Sequence, residues 1–397
     1  MRGTESLRAL GQMGYVIPRL LLVVCLVDVS LRFMSIEPLT FRAWEAMTRY
    51  RPPGAAFEPN RHYSNERAYG DSAAMGNLPE LRKYRRETFT TDALGFRNVA
   101  VPQSMSGSAI LIGDSFAAGS GVSDEETLSA RLSKRTGCIV YNAGREHPHP
   151  DADQVLALAR KLNMRGGLVM HLYSEDREPP TLPTKWQREM RQVLARTPGW
   201  AGRLVGRVRG LVTVSPLRIL SERAMKTLEN DRIFPNRYAA NVVRATVYNG
   251  DSMLFLASRV NNFYRTREAS VEYWTWLRDE LSKERLNLLV LLVPSKYTVY
   301  RRFLLDQRPT SETGGDYLNR LEQGLRAAGV PVLNLAPIFL ARVGDYLEHG
   351  EYLYWLDDIH WNAQGFDLAA AAIQEAWPLP GASCSDDRRS ITAKNPS

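Results

Sequence analysis

Short apolar runs alternate with amphipathic stretches through most of the chain after residue 108. The runs have the length of strands, and the stretches between them repeat apolar residues at helical spacing. Five strands are predicted, at residues 109–112, 138–141, 167–173, 288–293 and 332–335. Helices are predicted between and after them, at residues 123–135, 151–162, 270–284, 316–328 and 365–377. Strands that alternate with helices predict an α/β fold with a central parallel sheet covered on both faces.

The apolar segment at residues 14–34 differs from these runs because it is about long enough to cross a hydrocarbon core of ~30 Å. Arg19 interrupts it near one end, and Asp28 and Arg32 lie near the other. We predict a transmembrane signal anchor; a cleaved signal peptide and a buried or interfacial helix are the alternatives. No small-x-small cleavage site follows the apolar core. The arginines before the segment favour a cytoplasmic N-terminus at residues 1–13 and an exported body.

The regions around the alternating part are less regular. Residues 35–102 are rich in Pro, Arg and aromatic residues and are interpreted as an extended lead-in, in which 89–98 form a short strand and turn. The main domain is predicted at 103–377, and a helical insertion interrupts it at 177–267. Residues 378–397 are predicted to form a disordered tail.

The charge of the chain is basic, with a net charge of +8 and a pI of about 9.4. Residues 185–226 contain ten Lys or Arg against two Glu. Trp200, Leu204 and Val208 lie near helical spacing in this stretch, which is typical of an amphipathic helix at a membrane surface or of a solvated cap helix. No nucleic-acid-binding motif accompanies the charge, so we expect an anionic lipid or an acidic polysaccharide as the partner and no nucleic acid.

Two groups of potential metal ligands are present, and neither predicts a metal site. Cys25, Cys138 and Cys384 lack metal-ligand spacing, and unpaired thiols are expected, with a disulfide between Cys138 and Cys384 as the alternative. His147 and His149 lie in a Pro-rich loop without a further ligand cluster. A plain loop is expected there, and a substrate-lining role is the alternative.

A serine and a histidine at the two ends of the alternating region indicate nucleophilic catalysis. Ser115 follows the first predicted strand directly, and His360 precedes the last predicted helix. Functional groups collect where the strands of an open parallel sheet end. A serine needs a base that takes its proton and donors that receive the oxyanion. We expect His360 to be that base, and either Asp357 or Asp358 to orient its imidazole.

The sequence resembles the SGNH (GDSL) hydrolase superfamily over roughly residues 90–377. The resemblance is carried by three blocks: Gly113-Asp114-Ser115-Phe116, Tyr141-Asn142-Ala143-Gly144 and Asp357-Asp358-Ile359-His360. The N-terminal apolar segment and the His360-Trp361-Asn362 ending are similar to exported members, among them alginate O-acetyltransferase-like proteins that modify envelope polysaccharides. The resemblance implies a three-layer flavodoxin-like fold and acyl-ester chemistry, and no cofactor is expected.

The resemblance also implies roles for single residues. Ser115 is the nucleophile, and its amide is the first oxyanion donor. Gly144 and His147 lie where the second donor is expected. Glu175 stands where members of the family place an asparagine, and its carboxyl group could donate only if protonated. Asp357 has the spacing of the hydrolases and Asp358 that of the alginate-type Asp-x-His-Trp pattern, which we favour slightly.

These observations together predict an O-acetyltransferase or acetylesterase that acts on a cell-envelope polysaccharide or glycan. The expected location is the inner membrane, with a single span and a periplasmic catalytic domain. A multispanning membrane acyltransferase is a candidate partner. Two alternatives stay open: a catalytically silent carbohydrate-binding or assembly protein, which the Glu175 departure favours, and a lipid or short-chain esterase.

Overall fold

The computed structural model describes residues 2–34, 37–48, 51–52, 55–105, 107–146, 149–184, 200–201, 204–205, 208, 215–265, 267–305 and 316–376. The strands in this part of the chain are β1 (His62–Ala68), β2 (Arg85–Thr90), β3 (Ala109–Gly113), β4 (Val140–Asn142), β5 (Gly167–Ser174), β6 (Val242–Thr246), β7 (Ser252–Leu256), β8 (Leu286–Val293) and β9 (Val332–Asn334).

The helices in the same part are α1 (Arg2–Leu31), α2 (Ala43–Met47), α3 (Asp71–Met75), α4 (Ser115–Ala118), α5 (Leu128–Thr136), α6 (Ala152–Lys161), α7 (Pro216–Leu228), α8 (Ala257–Phe263), α9 (Glu272–Ser282), α10 (Lys296–Tyr300), α11 (Tyr317–Ala327), α12 (Ala336–Glu348) and α13 (Ala363–Ala376).

A five-stranded parallel sheet with the order β4-β3-β5-β8-β9 forms the centre of the molecule. These are the five strands that the apolar runs predict, and the predicted α/β class with a central parallel sheet is confirmed. Strands β5 and β8 pair over their full lengths, from Gly167 opposite Leu286 to Ser174 opposite Val293. Both are apolar almost throughout, because a central strand covered on both faces has no solvated side.

Side chains of successive strand residues point to opposite faces of the sheet, and each face has its own buried core. Val169 and Val290 belong to the core that contains side chains of α6, α9 and α11. Met170 and Leu291 belong to the core that contains side chains of α5, α12 and α13. The sheet therefore lies between two helical layers.

The lead-in at residues 35–102 was predicted to be extended, with a short strand and turn at 89–98, and the structure gives it more regular structure than that. Strands β1 and β2 pair antiparallel with Tyr63 opposite Phe89, and both aromatic side chains are buried. The remaining positions of the two strands are mostly polar, so their pattern gives a weak strand signal. α2 and α3 lie in the same region.

Arg97 joins the lead-in to the loop that follows α4. Its guanidinium donates to the carbonyl oxygens of Ala118, Gly119 and Val122 and pairs with Asp124 at 3.0 Å. Its side chain is 2% exposed. Because a buried guanidinium needs acceptors for its donors, Arg97 fixes the path of this loop.

The predicted helical insertion at residues 177–267 is wrong in part. Its described residues form α7, the antiparallel pair β6 and β7, and α8. Much of the stretch around Trp200 lies outside the described residues. Trp200, Leu204 and Val208 are exposed.

α1 covers most of the apolar N-terminal segment. None of the helices in the described part of the chain combines the length and the apolar content needed to cross a membrane. The predicted transmembrane segment is thus not confirmed. Asp28 links α1 to α7, since its carboxylate accepts from Ser215 Oγ and from the Leu217 amide.

The cysteines differ from one another. Cys25 carries a free thiol, as expected. Cys138 is disulfide-bonded, so the expectation of an unpaired thiol is wrong for this residue. Cys384 and the predicted tail at residues 378–397 lie outside the described residues, and the predicted domain boundaries stay predictions.

Replacement of Arg97 by methionine is expected to lower the free energy of unfolding by about 3 kcal/mol, because it leaves buried carbonyl groups without their donor. Urea unfolding measures the change. Arg326→Met removes an ion pair with Glu322 on the exposed face of α11 and should cost less than about 0.5 kcal/mol. Equal losses in the two variants would contradict the assigned role of Arg97.

Candidate active site

Ser115 lies at the turn where β3 ends and α4 begins. Gly113 makes this turn possible: its φ is +147°, and a Cβ there would lie 2.7 Å from the carbonyl oxygen of Leu172. Asp114 caps α4, accepting from the Phe116 amide at 3.0 Å, and its other oxygen accepts from Arg177 at 3.1 Å. The Ser115 amide belongs to the first turn of a helix, where N–H groups have no acceptor within the helix.

His360 contacts Ser115 from the loop before α13. Its Nε2 lies 2.7 Å from Ser115 Oγ, and its Nδ1 lies 2.7 Å from Asp358 Oδ1. An ionised carboxylate only accepts hydrogen bonds, so Nδ1 carries the proton and Nε2 presents its lone pair to the serine hydroxyl. The structure thus brings Ser115, His360 and Asp358 into one hydrogen-bonded relay.

Asp357 has a different set of partners. Its carboxylate accepts from the Gly70 amide at 2.7 Å, the Lys83 amide at 2.9 Å and Arg85 at 3.0 Å. All three donors come from the lead-in. Of the two candidate acids, Asp358 therefore contacts the imidazole, whereas Asp357 binds the lead-in to the loop.

Arg85 connects both acids with the nucleophile side of the site. Its guanidinium pairs with Asp357 and, at 2.9 Å, with Asp358, and its Nε donates to the Gly121 carbonyl oxygen at 3.1 Å. It also lies over the Trp355 ring, 4.2 Å from the centroid. Gly121 belongs to the loop after α4, so one buried side chain fixes the distance between the two halves of the relay.

The charges around the relay favour a protonated imidazole. Burial lowers the pKa of His360, but the Asp358 carboxylate, its hydrogen bond and the Asp71 carboxylate outweigh burial and raise the pKa above its ordinary value. Burial raises the pKa of Asp358, but His360, Arg85 and Arg42 hold it well below its usual range. The pair therefore favours the imidazolium–carboxylate form that appears when a serine loses its proton.

Asp71, Asp358 and His360 bring oxygen and nitrogen atoms within 4.8 Å of one another. Asp71 is paired with Arg42 and Asp358 with Arg85. Both ring nitrogens of His360 are hydrogen-bonded. The guanidinium groups already supply the positive charge, so this cluster is a charge network and we assign no metal to it.

Of the predicted oxyanion residues, Gly144 and Glu175 lie in the described part of the chain, and their described hydrogen bonds go to groups other than Ser115. The Gly144 amide donates to Asn142 Oδ1 at 3.0 Å, so this N–H is already engaged. Glu175 is buried, and its Oε2 accepts from the Ser295 amide at 2.7 Å and from Thr298 Oγ1 at 2.6 Å. Its Oε2 therefore stabilises the start of α10 as an acceptor. Burial raises the pKa of the Glu175 carboxyl group, and its place in an oxyanion site stays a prediction. His147 lies outside the described residues.

Lys296 holds the loop that carries Asp358, a role that the sequence did not indicate. Its Nζ donates to the carbonyl oxygens of Leu254, Trp355, Leu356 and Asp358 at 2.7–3.0 Å. Burial lowers the pKa of Lys296 to about 7, against the opposing effect of the Asp357 and Asp358 carboxylates. A lysine directly after a predicted central strand was the available signal, but its partners are distant in sequence.

His149 packs against His171 of β5 and Tyr273 of α9, on the face of the sheet that α9 covers. It does not belong to a group of metal ligands in the described part of the chain. Trp274 Nε1 donates to His171 Nδ1 at 2.9 Å, so a neutral His171 carries its proton on Nε2, which lies 3.4 Å from His149 Nδ1. Burial, together with the nearby His171 and Arg177, lowers the pKa of His149 to about 2. His149 is therefore neutral in the folded protein at neutral pH.

Acid should destabilise the fold through His149. Below a pH of about 6.5 this histidine binds a proton in the unfolded chain but not in the folded chain. The contribution of the neutral His149 to the free energy of unfolding is therefore fully present above that pH and is lost as the pH falls. The expected loss is about 1.4 kcal/mol per pH unit for one proton. Urea unfolding between pH 7 and pH 5 should show a smaller loss for His149→Gln than for the parent chain. The exposed His349→Gln is the matched control, and an unchanged acid dependence in His149→Gln would refute the assignment.

Part of the chain matches the sequence model of a known protein family. Residues 252–389 match the family model described as SGNH hydrolase-like domain, acetyltransferase AlgX. This match confirms the resemblance. It covers Lys296, Asp358 and His360, whereas Ser115 lies outside the matched residues.

A curated relative and a solved structure are also similar to the chain. "Probable alginate O-acetylase AlgJ" of Pseudomonas putida is 31% identical over 100 residues, which are 25% of this chain and 24% of the relative. The chain thus matches about a quarter of that protein's length. One crystal structure covers 70% of this chain and 99% of its own at 14% identity, with a TM-score of 0.30, a value too low to support an argument.

Proposed function

We propose that the chain is a serine-dependent acyl-ester enzyme, an O-acetyltransferase or acetylesterase that acts on a cell-envelope polysaccharide or glycan. The observation that carries this proposal is the relay from Ser115 Oγ through His360 to Asp358, with 2.7 Å at each step. The acetyltransferase description of the matching family and the name of the Pseudomonas putida relative support the acetyl group and the polysaccharide.

The relay performs acyl transfer in two halves. Ser115 Oγ attacks the acyl carbon while His360 Nε2 takes the hydroxyl proton, and Asp358 stabilises the imidazolium. The tetrahedral intermediate expels the donor's leaving group, which receives the proton from His360, and an acyl-serine remains. An acceptor hydroxyl then gives its proton to His360 and attacks the acyl carbon. The second intermediate breaks the bond between the acyl carbon and Ser115 Oγ, which takes the proton back from His360, and the acylated acceptor leaves; water as the acceptor gives hydrolysis instead.

The Ser115 amide is the donor that we assign to the oxyanion. It lies in the first turn of α4, next to the carbon that Ser115 Oγ attacks. Further donors are not assigned, because Gly144 and Glu175 are engaged elsewhere.

Arg177 supports an acidic sugar as the acceptor. Its Nε is held by Asp114, the residue next to Ser115, and its side chain is 35% exposed. A partly exposed guanidinium in this place can pair with a carboxylate in two-point geometry. The excess of basic residues at 185–226 would attract an anionic polymer to the same molecule.

The location also belongs to the proposal: an exported, periplasmic domain at the inner membrane. Its support is the surface of α1, where Leu20, Leu22 and Leu26 are each more than half exposed. Apolar surface of this extent is stabilised by an apolar surrounding. An exported acetyltransferase needs acyl groups from across the membrane, so a multispanning membrane acyltransferase is the partner that fits.

Ser115→Ala should lower turnover by a factor on the order of 10⁴ or more, because the nucleophile is lost. The full chain is incubated with an acetyl ester and candidate envelope glycans, and hydrolysis and transfer are scored separately by mass. A serine-directed phosphonate should label the parent chain and not the variant. Ser221→Ala, on the exposed side of α7, is the matched control.

The outcomes separate the alternatives. Retained turnover and labelling in Ser115→Ala would contradict the mechanism. Glycan binding without labelling of the parent chain would favour a silent binding protein. Release of lipid or short-chain acyl groups without any glycan acceptor would favour an esterase.

Asp358→Asn should lower kcat by about 10⁴-fold, because an amide no longer holds the required imidazole tautomer. Asp357→Asn should lower kcat far less and should mainly reduce the melting temperature, since Asp357 binds the lead-in. Steady-state kinetics with circular dichroism melting measures both. A folded Asp357→Asn protein as inactive as Asp358→Asn would reverse the assignment.

A further inference from the structure

Asp71 is a buried carboxylate beside the relay that the proposed reaction does not use. One of its oxygens lies within 4.8 Å of a ring nitrogen of His360 and of a carboxylate oxygen of Asp358. The side chain is 9% exposed. Burial raises the pKa of Asp71, and the Arg42 guanidinium and His360 oppose this rise and favour the ionised carboxylate. Water screens a buried charge of this kind poorly. A negative charge at this distance from an imidazole favours the protonated ring.

The backbone on both sides of Asp71 is docked on the acid loop. The Gly70 amide donates to the Asp357 carboxylate, and the Ala73 amide donates to the Asp357 carbonyl oxygen at 3.1 Å. A Cβ at residue 70 would lie 2.1 Å from that carbonyl oxygen, so a glycine is needed for the approach. Asp71 is therefore held next to the relay by contacts that do not depend on its own charge.

Arg42 is the counter-ion of Asp71 and opposes its effect. The two side chains form an ion pair, and the Arg42 side chain is 22% exposed. Burial has the largest effect on the pKa of His360; of the two lead-in charges, Asp71 raises that pKa and Arg42 lowers it. The other charged groups around the imidazole are Asp357 and Asp358 on its own loop, Arg85 from β2 and Lys296 from α10.

We propose that Asp71 is a positioning residue of the relay: a second carboxylate that stabilises the His360 imidazolium formed when Ser115 loses its proton, with Arg42 as the counter-ion that limits this effect. The role in turnover rests on the proposed function. The effect on the protonation of His360 does not, and it can be measured without any substrate.

The test follows the titration of His360 by NMR in the full chain, with its ring labelled and assigned through His360→Gln. Asp71→Asn should lower the titration midpoint by about one pH unit, and Arg42→Gln should raise it. Midpoint shifts of opposite sign indicate an effect of charge, since a structural defect would not be expected to shift the midpoint in opposite directions in the two variants. The acidic limb of kcat/KM should move in the same directions.

Asp367→Asn is the matched control, because Asp367 on α13 is ion-paired with Arg131 and Arg135 on α5 rather than with the relay. Its midpoint should equal that of the parent chain. Unchanged midpoints in folded Asp71→Asn and Arg42→Gln, or shifts of the same sign, would overturn the inference. If Asp71→Asn does not fold, the direction of the Arg42→Gln shift decides. If the parent chain shows no acetyl turnover, the proposed function is refuted, and the NMR titration still decides the role of Asp71.

Discussion

Charge compensation around one buried imidazole is the constraint on which the rest of the structure depends. His360 and Asp358 are each about 1% exposed. Removal of an ion from water costs several kcal/mol unless it is paired and hydrogen-bonded. Arg85 pairs with Asp358, and Arg42 pairs with Asp71 beside them. A fold that buries this relay must therefore bring its guanidinium groups to the same place.

This constraint explains why parts of the chain outside the sheet meet at the acid loop. The lead-in supplies Arg42, Asp71 and Arg85, and β7 of the insertion supplies the Leu254 carbonyl to Lys296, which holds the loop. Ser115 differs, because its turn is set by the neighbouring residues of β3 and α4. The nucleophile is thus a local structure, whereas the base and its acid depend on tertiary contacts.

The same distinction decides what the sequence could predict. Apolar runs predicted the five strands of the sheet, and the strand-to-helix turn predicted the place of Ser115, because these signals are local. Arg85 gave no signal, and the place of Lys296 after a predicted strand did not reveal its role, since the partners of both side chains lie far away in the chain. The polar strand β1 was missed, and β2 was predicted only at its end, because these strands bury few side chains. Spacing alone left Asp357 and Asp358 open, and the direction of each side chain distinguishes them.

The central claim is that Ser115 carries the acyl group between donor and acceptor. The most direct measurement is peptide mass mapping of the full chain, quenched in acid during turnover of an activated acetyl ester. The account predicts one acetyl group on the peptide that contains Ser115, and its disappearance when an acceptor glycan is added. Turnover with no acetyl group on that peptide, or with the acetyl group on another residue, would contradict it.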